Sequence, residues 1–343
     1  MKKNIIEFSL EELKEDFVKN GFEPFRAEQV FDWILNKTVF NWDDMRNLSK
    51  EFRAQLESKY NIDLGEIDQK EISKEDDSIK LLIRLADKQL VETVLIPRGK
   101  RRTVCVSSQV GCKFGCIFCA SGQAGFARDL TAGEIMLQIV QAKKLSDTKE
   151  ITHIVFMGMG EPFDNYEQVM ESIKRINSPN GFGIGARRIT VSTSGIVKQM
   201  QEFANKDVQA ELSISLHGPN DEIRGQLMPI NQKWPVKELI QACKDYTNQT
   251  KRIITFEYLL AKGLNESTVQ ARELCRLLKG LDCKVNLIPL NPIKEFPYER
   301  PTYKEIRAFQ RALVHGGVKA TVRFSRGNDI NAACGQLRRQ ATQ

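Results

Sequence analysis

The stretch Gly111-Cys112-Lys113-Phe114-Gly115-Cys116-Ile117-Phe118-Cys119-Ala120 is the starting point for the whole chain. Three of the eight cysteines fall inside it at C-x3-C-x2-C spacing, while the other five stand singly. Three thiolates on one short loop can face a common centre, which suits a metal ion or an iron–sulfur cluster. A structural zinc site is normally closed by four protein ligands. An iron–sulfur cube held by three cysteines instead keeps one iron free to bind another molecule. For a closed zinc site the fourth ligand would have to be distant, with Cys105 or His153 as candidates, and the sequence has no second paired half-site.

Downstream of this loop, helix and strand signals alternate. Helical periodicity or caps mark 131–144, 166–176, 196–204, 235–246, 266–278 and 303–315. Between them, apolar runs predict strands over 151–157, 188–192, 208–216, 252–260, 284–290 and 319–324. Six βα units without hairpin turn chemistry imply a parallel sheet, and in barrels built this way function gathers at the C-terminal strand ends. Those ends carry Gly158-Met159-Gly160-Glu161-Pro162, Ser192-Thr193-Ser194-Gly195, Ser215-Leu216-His217-Gly218 and Asn291-Pro292. Four polar or glycine-rich endings on successive strands read as the wall of a ligand site. Its glycines let backbone approach a ligand, and Glu161 can accept from an ammonium group.

Upstream, residues 1–75 read as a small helical domain. Ser9 with Glu12 makes a capping box, helices follow over 26–36 and from Ser49, and the unit is either an RNA-contacting domain or a lid. If it grips RNA, deleting it should abolish RNA modification and spare cluster assembly. A β-hairpin linker then spans 76–107, with strands at 79–85 and 90–96 and a further strand at 103–107. Glu92 falls within the second of these, sharing a face with Leu90 and Val94. An acid there lies at a strand edge facing water or is placed for proton chemistry, and the pattern alone favours the edge.

The 343 residues, 41% hydrophobic and 28% charged, have the balance of a folded globular protein. No window of 18 apolar residues or secretory signal is present, so a cytoplasmic protein is expected. Cysteines there serve metals or catalysis rather than a disulfide framework, and Cys243, Cys275 and Cys283 read as small buried hydrophobes. The net charge of +7 is modest, but two basic clusters flank isolated cysteines. Arg98, Lys100, Arg101 and Arg102 precede Cys105, while Arg323, Arg326, Arg338 and Arg339 surround Cys334, which hints that a polyanion approaches those thiols.

The cysteine loop, Gly160-Glu161-Pro162, Ser215-Leu216-His217 and the ending Arg326-Gly327-Asn328-Asp329-Ile330-Asn331-Ala332-Ala333-Cys334-Gly335-Gln336-Leu337 together resemble the RlmN type of radical S-adenosylmethionine (SAM) RNA methyltransferases. These modify carbon 2 of adenine, and the resemblance extends over essentially the whole chain. It implies an α/β fold, a partial (β/α)6 TIM-like radical SAM barrel over 108–325, with a C-terminal segment 326–343. It implies one [4Fe–4S] cluster on Cys112, Cys116 and Cys119, with SAM bound at Gly160, Glu161, Ser192, Ser215, Leu216, His217 and Asn291. By the same resemblance Cys334 carries a methyl group taken from one SAM, a second SAM is cleaved to a radical, Glu92 is the general base, and Cys105 resolves the product through a disulfide with Cys334. The implied substrates are an adenosine in the peptidyl-transferase region of 23S rRNA and the adenosine 3′ to the anticodon of tRNAs. An electron donor such as flavodoxin or ferredoxin, a monomeric state and no membrane association complete the expectation. The alternatives are the related carbon-8 methyltransferase and a non-catalytic zinc and RNA-binding protein.

Overall fold

The computed structural model describes residues 2–206 and 208–338; Arg339 of the second basic cluster lies outside the described residues. A ten-stranded sheet forms its centre, and the strands lie side by side in sequence order. They are β1 (Glu66–Ile72), β2 (Ile79–Arg84), β3 (Leu90–Arg98), β4 (Arg101–Val106), β5 (His153–Phe156), β6 (Ile189–Thr193), β7 (Glu211–Ser215), β8 (Ile254–Leu260), β9 (Cys283–Pro289) and β10 (Lys319–Val322). Strands β1 to β4 pair antiparallel, and from β4 to β10 every neighbour is parallel. All six expected βα strands are present, β4 adds a seventh parallel strand, and β1 and β10 end the sheet unpaired with each other, as a partial barrel requires.

The parallel strands are covered on both faces, which is why they read as continuous apolar runs. All seven residues of β8 are buried. Its Tyr258 points outward to pack on Phe309, ring centroids 5.3 Å apart, and its neighbours Glu257 and Leu259 line the interior cavity. Helices that cross between strands begin where the sequence caps them. Thr131 and Glu134 form a reciprocal capping box at Ala132–Leu145, and Thr302 with Glu305 does the same at Tyr303–His315.

Ahead of the sheet stand α1 (Leu10–Lys19), α2 (Phe25–Phe31), which continues as a π-helical turn Asp32–Asn36, and α3 (Lys50–Lys59). Their apolar side chains merge with those of the barrel in one continuous core. The contact is also polar: Lys143 Nζ donates to the carbonyls of Leu35 and Asn36 at 2.9 and 3.0 Å, and Arg175 donates to Glu7 O at 3.1 Å. Gly133 leaves room for the Glu7 carboxyl, whose Cδ would lie 2.5 Å from a Cβ there. The helical unit therefore packs on the barrel's flank, and none of its described residues lines the interior cavity. Its end also falls earlier than the expected 75, since β1 already belongs to the central sheet.

Candidate active site

The cysteine loop is pinned at both ends. A small antiparallel ladder pairs Gln109–Gly111 with Phe126–Asp129, and Cys112 N donates to Gly125 O at 3.0 Å. Only glycine fits at Gly111, where φ is +80° and a Cβ would fall 1.8 Å from Gly125 O. Further along, Ile117 N donates to Leu227 O at 3.1 Å, and the ring of Phe118 meets His217 edge-on at 4.7 Å.

The loop opens onto a cavity of about 1080 Å³ at the C-terminal ends of the parallel strands. Cys112, Cys116 and Cys119 line one part of it. Gly160, Glu161, Ser192, Ser215, His217 and Asn291 line the rest together with Cys334. Sequence positions more than two hundred residues apart thus converge as expected. Leu216 does not join them: its side chain is fully buried in the apolar core, so only its backbone could serve a ligand.

Several of these groups are already engaged by protein. Glu161 is buried, accepts from Phe163 N at 3.0 Å and Ser194 N at 2.7 Å, and its own N–H donates to Gln109 Oε1 at 2.8 Å. Burial raises its pKa, while those N–H groups and the Thr193 and Ser194 hydroxyls oppose the rise. Asn291 Nδ2 donates to Ser325 Oγ and to Cys334 O at 3.0 Å, and its Oδ1 accepts from Arg300, so it anchors Cys334. His217 adopts φ +56°, rare for this residue type. Burial lowers its pKa to about 3, and Nδ1 accepts from Leu259 N, which leaves the proton of the neutral ring on Nε2.

Cys334 is exposed toward the cavity, and the protein packed beside its sulfur still raises the thiol, with Arg323 pulling the other way. Its segment is held from both sides: Ala120 N donates to Gly335 O at 2.7 Å and Ser121 Oγ to Leu337 O at 2.6 Å. Cys105 on β4 lies behind, buried among Val94, Met159, Ile330, Ala332 and Leu337. Burial and the neighbouring Cys334 together raise Cys105 to about 12.

Glu92 corrects the edge reading, because it is 3% exposed in the middle of a sheet strand. It lines a second cavity with Lys80, Ala120, Pro292, Asn331, Gln336 and Arg338. Its Oε2 accepts from Arg338 N at 2.7 Å, and Oε1 lies 3.6 Å from Lys80 Nζ. Burial raises its pKa, with Arg338 N–H and Lys80 opposing. The C-terminal segment separates the two chambers: Cys334, Gly335 and Leu337 face the first, whereas Asn331, Gln336 and Arg338 face the second.

The first basic cluster is displaced from where the sequence suggested. Arg98 pairs with Arg101 at the N-terminal end of β4, about 13 Å below Cys105 at ~3.3 Å per residue. Arg102 is committed to Asp147 through two hydrogen bonds of 2.6 Å. This cluster therefore lies at the opposite end of the strands from the cavity. Of the C-terminal cluster, Arg323 lies near Cys334, Arg338 lines the second cavity, and Arg326 reaches back to Pro97 O. Sequence reading also missed Arg224, fully buried, whose guanidinium donates to Ser194 O at 2.6 Å and Asn231 Oδ1 at 2.8 Å. Burial lowers it to about 10. No local pattern flags it, since it sits in the short helix Asp221–Leu227 that was not expected.

The donor set fits an iron–sulfur cluster. Burial raises Cys112 to about 12 and pushes Cys116 well up as well, and neighbouring thiolates would raise both further. Thiols so placed do not ionise together without a cationic centre, and a coordinating metal deprotonates them outright. Among the described residues no group of three His, Cys, Asp or Glu side chains converges as a single ion requires. The polar strand ends and the carboxylate of Glu161, which lines the same cavity, equally suit the nucleoside and ammonium of SAM.

Comparison with known proteins agrees with this geometry. Residues 106–275 match the radical SAM superfamily, and residues 3–62 match the ribosomal RNA large subunit methyltransferase N-terminal domain. A protein of Clostridium novyi named "Probable dual-specificity RNA methyltransferase RlmN" is 45% identical, with 98% of each chain covered. One of the same name from Geobacillus kaustophilus is 46% identical over 98% of this chain and 92% of its own. The crystal structure of a radical SAM methyltransferase from Sphaerobacter thermophilus superposes with a TM-score of 0.95 at 44% identity, covering 98% of this chain and 99% of that one. No helix among the described residues is long and apolar enough to cross a membrane.

Proposed function

The chain belongs to the RlmN family of radical SAM RNA methyltransferases, and from that premise we propose that it methylates carbon 2 of adenosine in 23S ribosomal RNA and in transfer RNA. The observation that carries this reading is the single cavity in which the cysteine loop and Cys334 face each other. A zinc-binding, non-catalytic protein is thereby set aside. Carbon 2 of adenine is an electron-poor amidine carbon, so polar attack on a sulfonium methyl fails there and a radical route is needed.

Cys112, Cys116 and Cys119 would hold a [4Fe–4S] cluster, which when bound supplies the electron that cleaves SAM and yields a hydrogen-abstracting radical. The protein's own groups do the rest. Glu161 and the Gly160 turn bind the amino-acid end of SAM, and Ser192, Ser215, the backbone of Leu216, the Nε2–H of His217 and the anchored Asn291 shape the remaining wall. Cys334 Sγ accepts the methyl by displacement and presents it to the base. Glu92 is assigned the proton of the target carbon by its match to the family's general base. Arg338 N–H and Lys80 hold its carboxylate in the second chamber, so the C-terminal segment must move for it to meet a base at Cys334. Cys105, kept outside the cavity, attacks Cys334 Sγ as a thiolate. The bond from that sulfur to the methylene carbon on the base breaks, and its electron pair goes to the carbon, which takes up a proton to become the methyl group. The protein is left with a Cys105–Cys334 disulfide, which an external thiol or other reductant reduces before the next turnover. All eight cysteines are free thiols in this structure. A flavodoxin or ferredoxin delivers the electrons, and the chain works as a monomer in the cytoplasm.

A Cys334→Ala variant tests the reading. It is expected to assemble its cluster and leave RNA unmethylated, and continued methylation would remove Cys334 from the mechanism. Locating the methyl in product made by the native chain, by NMR of the isolated nucleoside, separates carbon 2 from carbon 8.

A further inference from the structure

One carboxylate in the cavity has no role in this scheme. Glu257 is the fourth of seven residues in β8, 4% exposed, and lines the same cavity as Cys334. Its register partners are Ser215 on β7 and Asn286 on β9, so it lies in a polar row across three strands. Oε1 accepts from Asn286 Nδ2 at 3.1 Å, but Oε2 is buried without any hydrogen-bond partner. Leaving a carboxylate oxygen unpaired in such a place is costly, and a ligand donor would remove that cost.

We propose that Glu257 is a specificity-determining residue for the RNA substrate, its free oxygen accepting a hydrogen bond from the exocyclic amino group of the adenine brought against Cys334. The inference rests on the reading that an adenine enters this cavity. Asn286 already turns an N–H toward Glu257; burial raises the carboxyl's pKa, and Arg323, Asn286 and the nearby Ser213 hydroxyl oppose that rise. A donor placed on Oε2 would add to them and favour the ionised form. The free oxygen is then an acceptor, and its ligand must be a donor. Its side of the cavity is also defined by topology: Asn286, which bonds it, lies on β9, the strand that leads to Asn291, the anchor of Cys334, whereas Glu161 follows β5, three strands away from β8. Glu161 therefore serves the end of the cavity that holds SAM's amino acid, and Glu257 serves the end where the base meets Cys334. In adenine the amino group and carbon 2 lie on either side of N1, so a contact at the amino group leaves carbon 2 open. Hypoxanthine would turn a carbonyl oxygen toward the carboxylate and be repelled. Purine would leave it unpaired.

The experiment uses the reconstituted holoenzyme and RNA stem-loops carrying adenosine, inosine or purine ribonucleoside at the target position. Methylation kcat/KM and SAM-derived 5′-deoxyadenosine are measured together. The native protein is expected to favour adenosine over purine ribonucleoside at least about tenfold, as expected for a site built around one donor. Glu257→Ala should bring that ratio to within about twofold, by losing rate on adenosine, with an unchanged KM for SAM. Glu257→Gln, which keeps the shape, should give an intermediate ratio and guards against a folding defect in the alanine variant. Native-level discrimination by both variants would overturn the proposal, as would a raised KM for SAM with the base preference intact, which would assign Glu257 to SAM. If the native protein fails to methylate the adenosine stem-loop at all, the parent reading fails and takes this inference with it.

Discussion

Gly160 shows how narrow the tolerances around the cavity are. Its φ is +99°, and a Cβ would lie 2.6 Å from Gln109 Cβ. Gly160→Ala is expected to fold and bind its cluster yet lose at least about tenfold in SAM cleavage, read as 5′-deoxyadenosine, because the turn must shift away from the ligand. Arg224 acts from beneath by fixing Ser194, whose N–H in turn holds Glu161. Arg224→Met should cost about 3 kcal/mol by chemical denaturation, the typical loss when one partner of a buried charged network is removed. A lysine there should not rescue, lacking the planar fork that reaches Ser194 and Asn231 together. The cysteines and the glycine-rich strand ends were legible because their chemistry shows in one-dimensional spacing. Arg224 and Glu257 were not, since each becomes unusual only through what surrounds it in three dimensions. Glu92 lay between these cases: its alternation was visible, but whether its strand was an edge depended on β4 pairing along its other side, which spacing alone did not disclose.

At the scale of elements, the turn between β1 and β2 clasps the C-terminal segment. Asp76 Oδ2 accepts from Gly327 N at 2.8 Å, Arg326 donates to Asp76 O and Pro97 O, and Asp329 accepts from Lys74 N at 2.9 Å. Burial alone would raise the Asp76 pKa, but the hydrogen bonds from Ser78, Gly327 and Ser73 outweigh it and hold the group low. A carboxyl lowered on folding contributes stability that is present above its unfolded pKa of about 3.9 and is lost as pH falls through the lower folded value. Asp76→Asn should therefore weaken the native chain at pH 6 and show a shallower loss of stability between pH 5 and 3, measured by denaturant titration at each pH. The long amphipathic helices and their capping boxes were readable, because period and cap reinforce one another. By contrast, β1 reads Glu-Ile-Asp-Gln-Lys-Glu-Ile and has no buried residue as an edge strand, so little apolar alternation marks it, and Asp221–Leu227 is too short to show a period.

Taken whole, the molecule is less divisible than its sequence suggests. The N-terminal helices share the barrel's apolar core, and Lys143 and Arg175 reach into their backbone. Removing residues 1–75 would bare the flank around Met136 and strip β1 from the sheet. Such a truncation is expected to yield insoluble protein without a cluster, and a soluble, brown, SAM-cleaving product would restore the view of an independent RNA-gripping domain. Cluster content by absorbance and sulfide assay decides between them.

The strip of backbone from Asn331 to Arg338 serves as a party wall, with alternate side chains belonging to neighbouring rooms. Space gained on the side of Cys334 by moving it is space surrendered on the side of Glu92. Thiol and acid therefore have only a single peptide thickness to negotiate, and a guest admitted to one room rearranges the furniture of the other.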